Sequence, residues 1–241
     1  MLYKTKIIQM LIRTIIFYIL LSFWTIFLGI LCLPFLVLPN KYIRFPALGW
    51  IKGIFILLNK ICKITHEIRG LENIPAEPIV IVSKHQSAFE TFALFYYLKK
   101  SFFIHKKQLF LIPIFGQYLM KSNMLAIDRK GGAKTMRKIL LEIKKRLDDG
   151  SSIIIFPEGT RKKPGDLPDY KTGFIGIYNE VRRKILPIAL NSGLCWPKHT
   201  FVMKKGHIII DVLPHIESNL QKHEVLKNVK NTIENATSKL I

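Results

Sequence analysis

Apolar positions follow two patterns along the chain. From Thr14 to Leu38 the sequence TIIFYILLSFWTIFLGILCLPFLVL carries no charged residue, and about 20 apolar residues suffice to cross the hydrocarbon core of a bilayer. Phe45 to Leu58 is a second largely apolar stretch, and Pro34 and Pro39 between the two mark a turn. Beyond these segments the runs shorten. Pro78 to Ser83 (PIVIVS) is apolar, rich in β-branched residues and bounded by Lys84 and His85, which predicts a buried strand that delivers His85 at its C-terminal end.

Phe89 to Leu98 then reads as a helix, Phe102 and Phe103 as a short strand, and Ala133 to Leu147 as an amphipathic helix stopped near Gly150. Ser152 to Phe156, Ile185 to Leu190 and Gly206 to Val212 read as strands, and the polar stretch after Ser218 as a closing helix. There is no internal repeat and no long linker; turn signals are densest from Lys162 to Pro168. Strands alternating with helices predict an α/β fold, with a mixed central sheet flanked by helices and an N-terminal membrane-embedded helical hairpin. The expected division is a membrane-associated helical segment over residues 1–65 and an α/β domain over 66–241.

The charge-free segment is too long for the apolar region of a signal peptide and lacks an A-x-A cleavage pattern, so it is expected to be retained. Lys4, Lys6 and Arg13 precede it and Lys41, Arg44 and Lys52 follow it, so basic residues on both sides give no single-span orientation. A hairpin dipping into one leaflet explains this symmetry, and a true span is the alternative.

Composition narrows the partners. Lys and Arg total 37 against 16 Asp and Glu, a formal charge of +21 in 241 residues, which favours an anionic partner. The mean hydropathy of +0.24 is positive where a soluble nucleic-acid binder of this charge would be negative, so anionic membrane lipid is expected rather than nucleic acid. Cys32, Cys62 and Cys195 are odd in number and have no zinc spacing, which fits a reducing, cytoplasm-facing compartment.

Two blocks carry candidate chemistry. In His85-Gln-Ser-Ala-Phe-Glu90 a histidine leaves a strand and a carboxylate follows five positions later, about one turn into a helix. A carboxylate on one ring nitrogen fixes the tautomer and leaves the other nitrogen to take a proton from a hydroxyl; alone, such a pair is as readily a helix cap and a solvated acid. In Phe156-Pro-Glu-Gly-Thr-Arg161, Gly159 permits close backbone approach, Thr160 offers a hydroxyl and Arg161 a planar fork suited to phosphate, while Glu158 suits an orienting role. Ser87 lacks the G-x-S-x-G elbow of a serine nucleophile. Cys195 and Trp196 are candidates to touch an apolar ligand, and His66, His105, His199, His207, His215 and His223 show no ligand spacing. With no G-x-G-x-x-G and no Walker lysine, neither a nucleotide cofactor nor a metal is expected.

Together and in this order, the blocks resemble the glycerolipid acyltransferase family of lysophosphatidate acyltransferases, whose motifs are a His-x4-acid block, an arginine-containing block, F-P-E-G-T-R and a proline-bearing strand. The resemblance extends through Ile112-Pro113-Ile114-Phe115-Gly116, Ile127-Asp128-Arg129 and Leu186-Pro187-Ile188-Ala189-Leu190-Asn191-Ser192-Gly193, covering roughly Ile79 to Gly193. It implies that a glycerol hydroxyl of lysophosphatidate attacks an acyl-CoA or acyl-carrier-protein thioester, giving phosphatidate. His85 and Glu90 would be catalytic, and Lys106, Arg129, Glu158, Gly159, Thr160 and Arg161 would bind substrate. Glu90 stands where Asp is usual in the family, and Lys84 where Asn is frequent. The resemblance implies a membrane location with the site facing the cytoplasm, at the inner membrane in a bacterium. Acylation of glycerol 3-phosphate or another lysolipid, and a non-catalytic basic protein that binds membrane surfaces, are the alternatives.

Overall fold

A computed structural model describes residues 2–127, 132–171 and 173–241. The long apolar segment forms α1 (Leu2–Leu31), two short 3-10 turns carry the chain past Pro34 and Pro39, and α2 (Arg44–Leu57) returns and tightens into a π-turn over Leu58–Cys62. Lys4–Leu31 and Asn40–Cys62 are each long and apolar enough to cross a membrane.

The rest is a seven-stranded mixed sheet in the order β1-β7-β6-β2-β5-β3-β4. Its strands are β1 (Ile64–Arg69), β2 (Val80–Ser83), β3 (Ser101–Lys106), β4 (Leu125–Ile127), β5 (Ser152–Ile155), β6 (Ile185–Leu190) and β7 (Gly206–Val212). From β6 to β4 every pairing is parallel, and β7, itself parallel to β1, joins β6 antiparallel. Every residue of β2 and β6 is buried, as expected of strands covered on both faces and read as unbroken apolar runs.

Helices α3 (Phe89–Tyr97), α4 (Phe115–Lys121), α5 (Gly132–Asp148), α6 (Gly173–Val181) and α7 (Lys222–Ser238) flank the sheet. Two apolar cores result. One lies under the hairpin and α3, around Phe17, Ile54, Leu94, Ile81 and Ile188; the other lies under α5, α6 and α7, around Val80, Ile143, Tyr178 and Val229. Helix α7 presents Val225, Val229, Ile233 and Thr237, a stripe of four-residue spacing, to the second core.

The sequence pattern did not disclose four elements. β1, at the sheet edge, has only Ile64 and Ile68 as apolar residues among Thr65, His66, Glu67 and Arg69, and it crosses the expected join between residues 65 and 66. β4 has only three residues, α4 is short, and α6 is rich in Ile, Phe and Gly, which favour other states.

The hairpin is bound to the sheet domain along its length. Thr14 Oγ1 accepts the N–H of Met203 at 3.0 Å, the Tyr118 hydroxyl donates to the carbonyl of Gly29 at 2.7 Å, and Lys121 Nζ donates to the carbonyl of Leu38 at 2.8 Å. On α2, Arg44 donates to the carbonyl of Phe95 at 2.7 Å. Ile114 packs against Gly29 from a γ-turn with φ 64°, closed by the Phe115 N–H on the Pro113 carbonyl at 2.7 Å.

α1 and α2 approach closely at Gly53, where an added Cβ would lie 2.1 Å from Trp24 Nε1. That nitrogen donates to the carbonyl of Trp50 at 3.1 Å. Gly53→Val therefore displaces the indole and overpacks the hairpin, at a cost of about 1–3 kcal/mol. Thermal unfolding in detergent is expected to show a midpoint lower by about 2–4 °C per kcal/mol lost, with altered tryptophan fluorescence; an unchanged midpoint would contradict the close approach.

Candidate active site

Three adjacent strands, β6, β2 and β5, end at the same face of the sheet, and each strand-ending turn supplies part of one cluster. The turn after β2 carries His85, the turn after β5 carries Phe156 to Arg161, and the turn after β6 carries Asn191 to Gly193.

His85 Nδ1 donates to Glu90 Oε1 at 2.9 Å. Glu90 sits in the first turn of α3 and has no solvent exposure. Its Oε1 also accepts the N–H groups of Gln86 and Ser87, both at 2.6 Å, and its Oε2 accepts the Ser192 hydroxyl at 2.7 Å. Four donors to one buried carboxylate satisfy its oxygens and fix it in place. The extra methylene relative to Asp is accommodated, since Glu90 reaches His85 while folding back onto the turn that precedes its own helix.

The His85 ring stacks on Phe156, with centroids 4.1 Å apart and planes inclined by 19°. Its backbone is held on both sides: the N–H donates to Glu158 Oε2 at 2.9 Å, and the carbonyl accepts the N–H of Lys162 at 2.8 Å. With Nδ1 engaged by Glu90, Nε2 is the nitrogen left to meet a ligand.

His85 lines a cavity of about 1180 Å³, above the usual range of about 300–1,000 Å³ for small-molecule pockets. Gly159, Thr160, Arg161 and Lys106 line the same cavity, as do His105 and Lys198, which the sequence did not single out. Lys198 Nζ donates to Thr160 Oγ1 at 2.8 Å, placing a further cation beside the F-P-E-G-T-R turn. Burial pushes the His105 imidazole below its ordinary value, opposed by the hydrogen bond it makes to the Lys106 carbonyl. Gly159 adopts φ 64°, a conformation that favours glycine, and an added Cβ would meet only Lys171 at 3.6 Å, so the backbone angle rather than space sets the requirement. Much of the remaining wall is apolar and comes from the hairpin and the Ile112 to Leu119 stretch, including Ile26, Trp50, Ile114 and Leu119.

Not every expected residue faces this cavity. Glu158, grouped with the substrate-binding residues by its block, has no exposure and turns Oε1 to Lys84 at 2.7 Å and Oε2 to the His85 N–H, so its side chain points away from the cavity. Arg129 lies outside the described residues. Ser87 does line the cavity, and its Oγ accepts the N–H of Phe89 at 3.0 Å. Cys195 is buried beside Gly206, and Trp196 packs edge-on to Phe17, so neither lines the cavity. Among the described residues no cluster of three or more His, Cys, Asp or Glu could hold a metal ion.

Sequence reasoning missed Ser192, Lys84 and Glu234 as parts of the cluster. The signal for Ser192 was present: Asn191-Ser192-Gly193 is a polar turn directly after a fully buried strand, as His85 is after β2.

A model of the acyltransferase family matches residues 65–191, more than half of the chain. The chain belongs to the acyltransferase family. This acyltransferase is 34% identical over 206 residues to a 1-acyl-sn-glycerol-3-phosphate acyltransferase of Pseudomonas aeruginosa, a match covering 84% of this chain and 80% of the relative. It is 28% identical over 151 residues to a 1-acyl-sn-glycerol-3-phosphate acyltransferase of Cocos nucifera, covering 62% of this chain and about half (49%) of that protein. In fold it is similar to the crystal structure of the 1-acyl-sn-glycerophosphate acyltransferase PlsC from Thermotoga maritima, with a TM-score of 0.78 over 98% of each chain at 22% identity.

Ser192→Ala removes one of the four donors to Glu90 and leaves Oε2 buried without it. Hydrogen bonds to charged groups contribute about 1.5–3 kcal/mol, and chemical denaturation is expected to show a stability loss in that range. No loss would mean that the hydroxyl does not engage the carboxylate.

Proposed function

We propose that this acyltransferase transfers an acyl group from a thioester, carried by CoA or acyl-carrier protein, to the free hydroxyl of 1-acyl-glycerol 3-phosphate, forming phosphatidate for phospholipid synthesis. The observation that carries the reading is the His85–Glu90 pair, held by strand-ending turns at the wall of a large, mainly apolar cavity that also presents Arg161, Thr160 and Lys106. The names of the relatives point to the same reaction.

His85 Nε2 takes the proton of the glycerol hydroxyl as its oxygen attacks the thioester carbonyl carbon. The new C–O bond gives a tetrahedral intermediate; its collapse breaks the C–S bond, and the imidazolium returns the proton to the departing thiolate. Glu90, held in place by its four donors, fixes the tautomer and stabilises the imidazolium between the two transfers. Arg161 receives the acceptor phosphate in a bidentate contact, with Thr160 and Lys106 beside it and Arg129 as a further cation. The apolar walls take acyl chain.

The hairpin lies in the plane of one leaflet, with the site facing the cytoplasm. Ile8, Ile12, Ile19, Phe23, Phe27 and Ile30 of α1, 50% to 67% exposed, form a stripe facing away from the sheet domain. The opposite side of the hairpin is bonded to that domain at Thr14, at Gly29 and at Leu38. A spanning pair would carry Leu38 across the bilayer, but Leu38 is held by Lys121 of the catalytic domain. The surplus of cations supports attraction to anionic lipid, each contributing about 1 kcal/mol near the surface.

His85→Ala is expected to lower kcat by about 10²–10⁴-fold with little change in acceptor KM. Arg161→Met is expected chiefly to raise the KM for lysophosphatidate. Steady-state assays over both substrates check the two; retained kcat in His85→Ala would overturn the base assignment. For topology, single cysteines at positions 4, 40 and 163, with the native cysteines replaced, are expected to react with an impermeant maleimide from the same side of sealed vesicles. Position 40 reacting only from the opposite side would establish a span.

A further inference from the structure

Beside the dyad lies a buried charged cluster that the acyl-transfer steps do not use. Lys84, one residue before His85, has a side chain 3% exposed, and its ammonium meets Glu158 Oε1 at 2.7 Å and both oxygens of Glu234 at 2.8 and 2.9 Å. Glu234 lies on α7, beyond the residues matched by the family model, and its Oε1 also accepts the Tyr170 hydroxyl at 2.9 Å. Burial and the nearby Glu234 carboxylate hold the Tyr170 phenol above its ordinary value, so it remains the donor in this contact.

Contacts therefore run without a break from Tyr170 to Glu234, to Lys84, to Glu158, and from Glu158 Oε2 to the N–H of His85. Burial raises the Glu158 carboxyl above its ordinary value, and the Lys84 ammonium and the His85 N–H oppose that shift. The ammonium of Lys84 has three donors. Glu234 engages it with both oxygens, and Glu158 Oε1 meets it as an ion pair at 2.7 Å, so Glu234 fixes where the ammonium sits beside Glu158. Without the charge of Glu234 the ammonium recentres on Glu158, whose hold on the His85 N–H then relaxes.

We infer that Glu234 and Tyr170 are positioning residues for His85: the C-terminal helix fixes, through Lys84 and Glu158, the peptide plane from which the imidazole projects into the cavity. The kinetic consequence rests on the acyl-transfer reading; the structural consequence does not. Neither side chain lines the cavity, so their influence on turnover passes through the backbone of His85. A misplacement of about 1 Å can cost as much as about 10²-fold in rate.

The test compares Glu234→Gln, Tyr170→Phe and the double variant with wild type in the full-length, detergent-solubilised protein. Glu234 is partly exposed, at 22% of its side chain, so its neutral isostere is compatible with folding. Hydrogen exchange followed by mass spectrometry is expected to show the His85 amide exchanging about tenfold faster in Glu234→Gln and less so in Tyr170→Phe, with β5 unchanged. Turnover of palmitoyl-CoA with lysophosphatidate is expected to lose about tenfold and threefold in kcat, respectively, with acceptor KM within about twofold. The double variant should be no worse than Glu234→Gln, because Tyr170 acts through Glu234. Unchanged His85 exchange, parallel loosening of β5, a loss confined to KM, or multiplied losses in the double variant would each overturn the inference. A wild type inactive toward lysophosphatidate whose His85 exchange still responds would overturn the reaction and leave the positioning role intact. An active wild type with indifferent variants would do the reverse.

Discussion

A carboxylate taken wholly out of water must collect donors, and the way Glu90 does so organises this end of the sheet. Its oxygens draw together the His85 ring, two backbone N–H groups of the turn after β2, and the Ser192 hydroxyl of the turn after β6. Gln86 adds a second tie between the same turns by accepting the N–H of Gly193 at 3.1 Å. The turn after β5 then closes on His85 from the other side, with Phe156 against the ring and Glu158 and Lys162 on the backbone. The imidazole is thus held through its ring nitrogen, its face and both sides of its peptide, which is how a flexible residue at a strand end acquires one geometry.

The same arrangement links the site to the hairpin. α1 and α2 are packed into the first core through Phe17 and Ile54, with Leu58 of the π-turn beside them, and also form a wall of the cavity lined by His85. Apolar residues on one side of the hairpin complete the protein core, and those on the other remain exposed, so one element both packs against the sheet domain and presents an apolar surface. In the proposed reaction, an acceptor held in a leaflet would meet His85 without leaving the apolar environment.

Legibility in the sequence followed burial. β2 and β6, covered on both faces, appear as unbroken apolar runs, and the residues that follow them, His85 and Asn191-Ser192-Gly193, stand where the chain emerges at the site. The F-P-E-G-T-R turn was recognisable through its resemblance to a family motif standing in order with the other blocks; taken alone, its residues are ordinary turn chemistry. The edge strand β1 was not legible, since its exposed positions carry charge and break the apolar pattern. Lys84, Tyr170 and Glu234 were not legible either, because an ion pair between residues 150 positions apart leaves no local mark. Glu158 shows the limit of reading by blocks: it shares a motif with Arg161, yet it points into the protein while Arg161 lines the cavity.

The central claim is acyl transfer to the hydroxyl of a lysophosphatidate, and the most direct measurement follows both products at once. Purified protein would be given acyl-CoA, and in parallel acyl-carrier protein, with and without 1-acyl-glycerol 3-phosphate, while free thiol is titrated and phosphatidate quantified by mass spectrometry. The expected result is thiol release with at least one donor only when the acceptor is present, with phosphatidate formed in equal amount. Release independent of the acceptor, or no release with either donor, would contradict it.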